Sequence, residues 1–448
     1  MPRRGLTAEP AGVYSQLLRL CPQAQHAPLC VALSGGEDST ALLGLLAQLP
    51  QVQGRLRAVH VDHGLHPDSA HWSRLCRDTC RTLHVPLAIR RLRLTCPPGA
   101  SVEAVAREAR YAALGTALRA GELLLSAHHL EDQLETVLLQ LLRGAGLRGL
   151  AAMPATTPFA DGVLVRPLLE LPRAALRGWV RSRGLACVAD PANADVRFDR
   201  NFLRHRVLPV VLGRWPAAAQ TVTRSARHLA EAQELLDELA AADVARAADG
   251  RALSAAALRA LPLPRRRNAL RYWIGRSGAV PDARRLAEIA ETLLAARPDS
   301  NPVVRFGQLE VERHAGRLSL GVRRPAAPAY ELTWHLRRSP RLTLPSGAGR
   351  LELRPSSQGL IDANALPAQV TVRSRRGGER LRPRIDGPSR TLKSLLQTER
   401  IALGERRHLP LLYAGEQMLA VADLWVDARW QPGAGSDRRL TVVWHRPA

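Results

Sequence analysis

The residues best suited to chemistry lie in the turn Ser34-Gly35-Gly36-Glu37-Asp38-Ser39, between an apolar run at 29–33 and a helical pattern. A glycine turn between a strand and a helix presents free backbone N–H groups and the positive end of a helix dipole, which predicts a phosphate site. Asp38 would repel phosphate unless a divalent cation or an amine lies between them. The turn therefore predicts a nucleoside triphosphate with a metal, or an amine nearby. A plain helix-capping turn is the alternative.

The elements around this turn predict an α/β domain with a doubly wound parallel sheet. Apolar runs at 29–33, 56–61, 87–94 and 122–127 alternate with helical patterns at 39–49, 68–83, 101–119 and 131–143. Ligands of such sheets bind at the carboxyl ends of the strands. The turn 34–39, the segment 60–64 with His60, and the pair His128-His129 all follow strands. We expect the three segments to meet at one edge of the sheet.

Two further sets of charged residues are candidates for a site at that edge. Asp132 and Glu135 lie one helical turn apart, so they can hold Mg²⁺ or a substrate ammonium together. Acids favoured by the helix dipole are the alternative. Arg200 and Arg204 are also one turn apart and can reach a phosphate, a nucleic acid or only solvent. His128 and His129 can be core residues, caps, or contacts to the adenine or to the base.

The rest of the chain predicts two more domains. Ala/Leu/Arg/Glu-rich stretches at 217–249 and 282–297 indicate amphipathic helices, and the Pro/Ala-rich segment 323–328 indicates a linker. Beyond it the sequence is arginine-rich and strand-like, most clearly at 371–373 and 440–444. We predict a catalytic α/β domain at 1–212, a helical middle domain at 213–325 and an α+β domain at 329–448.

Composition indicates a polyanionic partner. The 448 residues carry a formal charge of +24, and Lys393 is the only lysine. With aromatic residues at 4%, phosphate contacts to a folded nucleic acid fit better than base-stacking platforms. The six cysteines form no Cys-x-x-Cys pair, which argues against a zinc or iron–sulfur site. No apolar stretch is long enough to span a membrane, so we expect a soluble cytoplasmic protein.

The motifs together resemble a known family. The hexapeptide at 34–39 resembles the signature of the PP-loop ATP pyrophosphatase superfamily, with its adenine nucleotide α-hydrolase-like fold. In the order of the chain, further motifs are similar to bacterial tRNA(Ile)-lysidine synthetases: 60–65, 103–111, 127–136, 143–150, 166–169, 200–204, 376–380, 392–393 and 409–412. Two positions depart from that family: Glu131 replaces the usual aspartate and Ala192 the usual serine. If only Asp132 and Glu135 bind the metal ion or the ammonium, we expect glutamate at position 131 to leave the activity intact.

The resemblance implies a two-step ligation. ATP would adenylate the C2 oxygen of the wobble cytidine in an isoleucine tRNA with a CAU anticodon. Free L-lysine would then displace AMP to form lysidine, which changes decoding from AUG to AUA. The protein could act as a monomer or as a homodimer.

The resemblance also implies roles for individual residues. It assigns ATP binding to Ser34, Gly35, Gly36, Glu37, Asp38, Ser39 and His60. It assigns catalysis or lysine binding to Asp38, His128, Asp132, Glu135, Arg200 and Arg204, and Mg²⁺ to Asp38, Asp132 and Glu135. It assigns tRNA contacts to Arg107, Arg110, Arg376, Arg380 and Lys393, although a solvated ion-pair face with Glu103 is the alternative for Arg107.

Two other functions fit parts of the pattern. A tRNA cytidine thiolase would use the same loop, but it would need paired cysteines. A tRNA-binding protein with a degenerate nucleotide site is disfavoured because the loop donors and the Asp132/Glu135 pair are intact.

Overall fold

The computed structural model describes residues 8–446 except 65, 96, 98–101, 298–299, 301, 324–327, 346–347, 400–405, 407 and 434–435. The chain forms two compact units, Met1–Leu235 and Leu236–Ala448. Most of the predicted linker at 323–328, including the boundary at 325, lies outside the described residues. The division into three domains at 1–212, 213–325 and 329–448 stays a prediction.

The first unit contains the predicted doubly wound sheet. Its strand order is β3-β2-β1-β4-β6-β5, and all neighbours are parallel except the edge pair β5–β6. The strands are β1 (Leu29–Ala32), β2 (Leu56–Asp62), β3 (Leu87–Arg91), β4 (Leu123–Leu125), β5 (Thr156–Phe159) and β6 (Gly162–Val165). The four predicted strands are confirmed, whereas the hairpin β5–β6 was not predicted. The order reverses between β1 and β4, which is where ligands bind in such sheets.

Helices cover both faces of this sheet. In β1, Leu29 and Val31 pack into the core beneath α1, α2 and α7, whereas Cys30 packs with Leu114 of α4 on the opposite face. Burial on both faces explains why the strand reads as a continuous apolar run. The helices are α1 (Pro10–Leu20), α2 (Glu37–Ala47), α3 (Ser69–Thr82), α4 (Val102–Ala117), α5 (Leu130–Leu142), α6 (Leu147–Leu150), α7 (Arg173–Ser182), α8 (Asp199–Phe202) and α9 (Leu208–Arg214). A π-helical turn at Leu203–Val207 joins the last two.

The second unit contains helices and antiparallel sheets. The long helix α10 (Ala218–Ala247) runs into it and confirms the helix predicted at 217–249; α13 (Ala283–Ala287) and a π-helical turn (Glu288–Leu293) occupy the second predicted stretch. The remaining helices are α11 (Ala255–Ala260), α12 (Leu263–Gly275) and α14 (Leu392–Thr398). Among the described residues, no helix has both the length and the apolar character to cross a membrane.

In the part of the second unit that the structure describes, the strands form four sheets. Five short strands, not predicted from the sequence, make the sheet β7-β8-β11-β10-β9: β7 (Ala248–Asp249), β8 (Ala252–Ser254), β9 (Val303–Phe306), β10 (Leu309–His314) and β11 (Arg317–Val322).

The other three sheets have the orders β12-β16-β19-β20-β21, β13-β14-β22-β15 and β17-β18. Their strands are β12 (Glu331–His335), β13 (Arg341–Thr343), β14 (Arg350–Pro355), β15 (Ile361–Asp362), β16 (Gln369–Arg373), β17 (Arg380–Leu381), β18 (Arg390–Thr391), β19 (Leu411–Ala414), β20 (Gln417–Val421), β21 (Trp425–Val426) and β22 (Arg439–His445). The runs predicted at 371–373 and 440–444 are confirmed as parts of β16 and β22.

The contact between α2 and α7 generates a stability prediction. A Cβ added to Gly44 in α2 would lie 2.8 Å from Cζ3 of Trp179 and closer still to Cη2. We expect Gly44→Ala to be destabilising, because overpacking costs about 1–3 kcal/mol and exceeds the gain in helix propensity of about 1 kcal/mol. The measurement is the urea midpoint of the full chain.

Gly178→Ala in α7 is the matched control, because no atom lies within 4 Å of the added Cβ. Gly178→Ala should keep or raise the midpoint, and Trp179→Phe should relieve the loss in Gly44→Ala. A Gly44→Ala protein as stable as the wild type would contradict the packing argument.

Candidate active site

The predicted phosphate turn connects β1 to α2 and is held by its own serines. The Oγ atoms of Ser34 and Ser39 lie 3.0 Å apart, and Ser39 donates to the carbonyl of Gly36 at 3.1 Å. Gly35 has φ +85°, and a Cβ there would lie 2.7 Å from Cγ2 of Val188. Gly36 caps α2 without a side-chain hydrogen bond to the first turn. The first N–H groups of α2 thus stay available to an anion.

His60, predicted to contact ATP, lies against the chain where β1 leads into the turn. Its Nδ1 lies 2.9 Å from the carbonyl oxygen of Leu33. Burial lowers the pKa of His60, so the ring is neutral at physiological pH. An ATP contact by His60 stays a prediction.

Asp132 and Glu135 share one face of α5, as their spacing predicts, and both accept hydrogen bonds from Arg200 and Arg204. Arg200 donates to Asp132 at 2.9 Å and to Glu135 at 2.8 Å. Arg204 donates to the same two residues, at 3.1 Å and 2.6 Å. The Glu135 side chain is only 1% exposed. The two arginines therefore bind the acid pair. The alternative that they form a solvated face is wrong.

His129 joins this pair to the phosphate turn. Its Nε2 lies 3.4 Å from Asp132 and 3.6 Å from Asp38, and its Nδ1 lies 3.1 Å from Glu131. Burial opposes protonation, but the three carboxylates together raise the pKa of His129. His129 also lowers the pKa of Asp132 to about 2, against the effect of burial and together with Arg200. His129 thus lies between three carboxylates, and their negative charge favours the protonated ring.

The neighbouring His128 behaves differently. Its Nδ1 lies 2.7 Å from the Oγ of Ser126. Burial lowers the pKa of His128 to about 3, so the ring is neutral. The sequence analysis considered both histidines but named only His128 as a site residue, whereas in the structure His129 is the N-cap of α5. The position of His129 directly before the acidic first turn of α5 is the signal that could have identified it.

Arg173 and Arg177 of α7 also reach the phosphate turn, and sequence reasoning missed both. Arg177 donates to Glu37 at 2.5 Å. The Nε of Arg173 lies 3.7 Å from Oδ1 of Asp38, and its backbone N–H donates to Glu131 at 2.9 Å. Glu131 is thus not idle, because it ties α7 to α5. We call the following set the charged cluster: Asp38, Glu131, Asp132, Glu135, His129, Arg173, Arg200 and Arg204.

The predicted tRNA contacts lie in two places. Arg107 and Arg110 flank the ring of Tyr111, with their Cζ atoms 5.3 and 5.7 Å from its centroid. Burial lowers the pKa of Arg110, and the nearby Arg107 and Arg200 act in the same direction. The Glu103 side chain, proposed to pair with Arg107, lies outside the described residues.

Three more predicted tRNA contacts belong to the second unit. Arg376 pairs with Glu331 at 2.5 Å, and Arg380 donates to the carbonyl of Ser389 at 2.8 Å. Lys393 is exposed on α14. The tRNA role of these residues stays a prediction.

The three carboxylates predicted to share Mg²⁺ differ in whether they already accept hydrogen bonds from arginines. No group of three metal-ligating side chains is found among the described residues. Asp132 and Glu135 are taken up by arginines, whereas Oδ1 of Asp38 is buried and makes no hydrogen bond. Mg²⁺ is commonly held by one or two carboxylates together with substrate phosphates. Asp38 therefore fits the ion, and a shared site with Asp132 and Glu135 stays a prediction.

Comparison with known proteins shows the family. Residues 11–211 match the PP-loop domain, 253–319 the TilS substrate binding domain and 370–444 the TilS substrate C-terminal domain. The tRNA(Ile)-lysidine synthase of Coxiella burnetii is 41% identical over 88% of this chain and 88% of its own length. The same enzyme of Nitrosomonas europaea is 40% identical over 93% and 92%. This chain belongs to the tRNA(Ile)-lysidine synthase family.

Among solved structures, the U34-tRNA thiolase NcsA from Methanococcus maripaludis is 15% identical, with a TM-score of 0.40 over 49% of this chain and 79% of its own. That similarity is too low to carry an argument. The PP-loop match supports the use of ATP by this tRNA(Ile)-lysidine synthase family member. It also agrees with the α/β architecture expected for the first unit.

The raised pKa of His129 generates a pH prediction. A group whose pKa is raised by folding stabilises the fold below its unfolded pKa, and this stabilisation is lost as pH rises through the folded value. At about pH 6, His129→Gln should cost about 3–5 kcal/mol, the usual loss when a buried charge pair is broken. Above the raised pKa, the difference from wild type should narrow. Urea midpoints from about pH 6 to about pH 9 measure it.

The adjacent His128 provides the control. Burial lowers the pKa of His128 to about 3, whereas the unfolded ring titrates near 6.5, so wild-type His128 favours unfolding increasingly as the pH falls below about 7. Any loss of stability in His128→Gln should therefore shrink toward about pH 6, opposite to the trend for His129→Gln. Equal pH dependence in the two variants would rule out the imidazolium at His129.

Proposed function

We propose that this protein ligates L-lysine to C2 of the wobble cytidine in tRNA(Ile) with a CAU anticodon, at the expense of ATP. The observation that carries the proposal is the charged cluster, which lies directly against the phosphate turn at the β1/β4 reversal of the sheet. The products are lysidine, AMP and pyrophosphate. A tRNA substrate and ATP are both found in the cytoplasm, where we expect the reaction.

In the first step, the phosphates of ATP bind at the uncapped N–H groups in the first turn of α2. The C2 oxygen of cytidine attacks the α-phosphorus, and the bond to the bridging oxygen breaks. Pyrophosphate leaves with that electron pair. Backbone donors that are fixed before the reaction stabilise the developing charge without reorganisation. Mg²⁺ held by Asp38 would supply further charge neutralisation to the phosphates.

In the second step, the amine of lysine attacks C2 of the adenylated base and AMP leaves. Asp132 and Glu135 already bind two cationic guanidinium groups, so their environment suits a cationic ligand. We infer that an ammonium of lysine binds this pair in competition with Arg200 or Arg204. The attacking amine must lose a proton, and a carboxylate of the charged cluster is in position to accept it.

The alternative functions have less support. Cys21, Cys30, Cys76, Cys80 and Cys187 form no disulfide, and burial raises the pKa of Cys30, Cys76 and Cys80 to about 12. Such thiols are poor nucleophiles and poor metal ligands, which disfavours a thiolase. Cys96 lies outside the described residues.

Incorporation of labelled lysine into a tRNA(Ile) transcript with a CAU anticodon tests the function. We expect incorporation that requires ATP, together with stoichiometric AMP and pyrophosphate. Asp38→Asn should lower the rate of pyrophosphate release at least about a hundredfold, because removal of one group that stabilises the transition state commonly costs that much. Unchanged folding by circular dichroism would show that the loss is chemical.

Two results would contradict the proposal. One is wild-type release of pyrophosphate without lysine incorporation. The other is full turnover by Asp38→Asn.

The basic residues of the second unit generate a binding prediction. Lys393 has no ion pair among the residues that the structure describes, so it is free to meet a phosphate. A protein with Arg376→Gln, Arg380→Gln and Lys393→Gln should bind tRNA more weakly, and its slope of log affinity against log salt should fall by about 1 for each lost phosphate contact. ATP affinity should be unchanged.

Arg354→Gln is the control from the same unit, because it removes an arginine that also pairs with an acid, Glu352 at 2.8 Å, but that is not one of the predicted tRNA contacts. Its salt slope should equal that of the wild type. An unchanged slope in the triple variant would remove these residues from the tRNA interface.

A further inference from the structure

Arg173 and Asp38 face each other without completing a hydrogen bond. The Nε of Arg173 and Oδ1 of Asp38 are 3.7 Å apart, beyond the range of a hydrogen bond. Both atoms are buried, and neither has any other hydrogen-bond partner. Buried polar atoms are almost always satisfied in folded proteins, so such a pair calls for an explanation. A ligand that enters between the two residues would provide one.

The other arginines near the turn already donate hydrogen bonds to carboxylates. Arg200 and Arg204 each donate to both Asp132 and Glu135, and Arg177 donates to Glu37. Among these four arginines, Arg173 alone has a nearest carboxylate to which it donates no side-chain hydrogen bond. Its guanidinium therefore has donors to offer a new anion at the smallest loss of existing contacts.

The position of Arg173 is fixed by its backbone. It is the first residue of α7, and its N–H donates to Glu131 at 2.9 Å. Next to it, the N–H of Leu130 donates to the carbonyl of Leu171 at 3.0 Å. Both bonds tie the start of α7 to the start of α5. The guanidinium is thereby held against the first turn of α2, where the free N–H groups are.

We propose that Arg173 is a catalytic residue that binds the β- and γ-phosphates of ATP and stabilises pyrophosphate as it leaves. The inference rests on the proposed function. When the α-phosphorus bond breaks, the electron pair stays on the bridging oxygen and adds negative charge to pyrophosphate. A guanidinium binds phosphate oxygens through two parallel hydrogen bonds. Asp38 gives up only a long ion pair in exchange and stays available to a cation.

The test uses Arg173→Gln in the full-length protein. We expect kcat for pyrophosphate release to fall about 100-fold, as when one donor to a developing charge is removed. Inhibition by added pyrophosphate should weaken by about tenfold or more, whereas inhibition by AMP stays at the wild-type level. A purely structural role would not separate these two products. Arg173→Lys should be intermediate, because an ammonium keeps the charge without the paired geometry, and it serves if Arg173→Gln does not fold.

Arg177→Gln is the matched control, with the same change one turn along the same helix and beside the same phosphate turn. Because Arg177 is already bound to Glu37, its loss should leave pyrophosphate inhibition at the wild-type level. The proposal is overturned if Arg173→Gln keeps wild-type inhibition by pyrophosphate, or if Arg177→Gln weakens it equally.

Calorimetric binding of inorganic pyrophosphate to wild-type and Arg173→Gln proteins separates this inference from the proposed function. The binding does not depend on lysidine formation. Weaker binding by the variant would support Arg173 even if labelled lysine were not incorporated, and equal binding would reject it even in an active synthase.

Discussion

The site depends on neutralising several carboxylates that are buried beside a phosphate-binding turn. Four acids meet four cations in the charged cluster, so its net charge is zero when His129 is protonated. Burying one such acid without a partner would cost several kcal/mol, about 3–5 when a buried pair is broken. A charged ligand that binds here therefore meets a set of side chains whose charges already balance one another.

The two ends of the charged cluster are held together at different distances. Arg173 and Asp38 form the loose end of the cluster, whereas Arg200 and Arg204 hold the acid pair through short hydrogen bonds. His129 contacts both Asp38 and Asp132, so a change at one end is felt electrostatically at the other. His129 thus links the phosphate turn electrostatically to the acid pair of α5. A charge added at one end of the cluster changes the electrostatic potential at the other.

Local sequence rules predicted the elements of the first unit well. Strands buried on both faces read as apolar runs, and the polar segments after them meet at one edge because parallel strands point the same way. The partners of the acids were harder to predict. Arg173 and Arg177 lie far along the chain from Asp38 and Glu37, and each looks like one more arginine in an arginine-rich sequence. Only the packing of α7 on α2 brings them to the turn.

The contacts of Glu131 also could not be predicted from local sequence. From spacing alone it lies off the face shared by Asp132 and Glu135, which is why it was expected to be harmless. In the fold it accepts the N–H of Arg173 and pairs with His129, contacts that depend on α7. The short strands β7–β11 were missed because two to six residues give too little periodicity to read.

The chain's one lysine has a practical consequence. Because Lys393 is exposed on α14, an amine-reactive reagent can modify only one side chain in the whole protein, in addition to the α-amino group. If Lys393 contacts a phosphate, tRNA bound before the reagent is added would protect this side chain from modification. The extent of modification of one peptide would thus report tRNA contact in the C-terminal part of the chain.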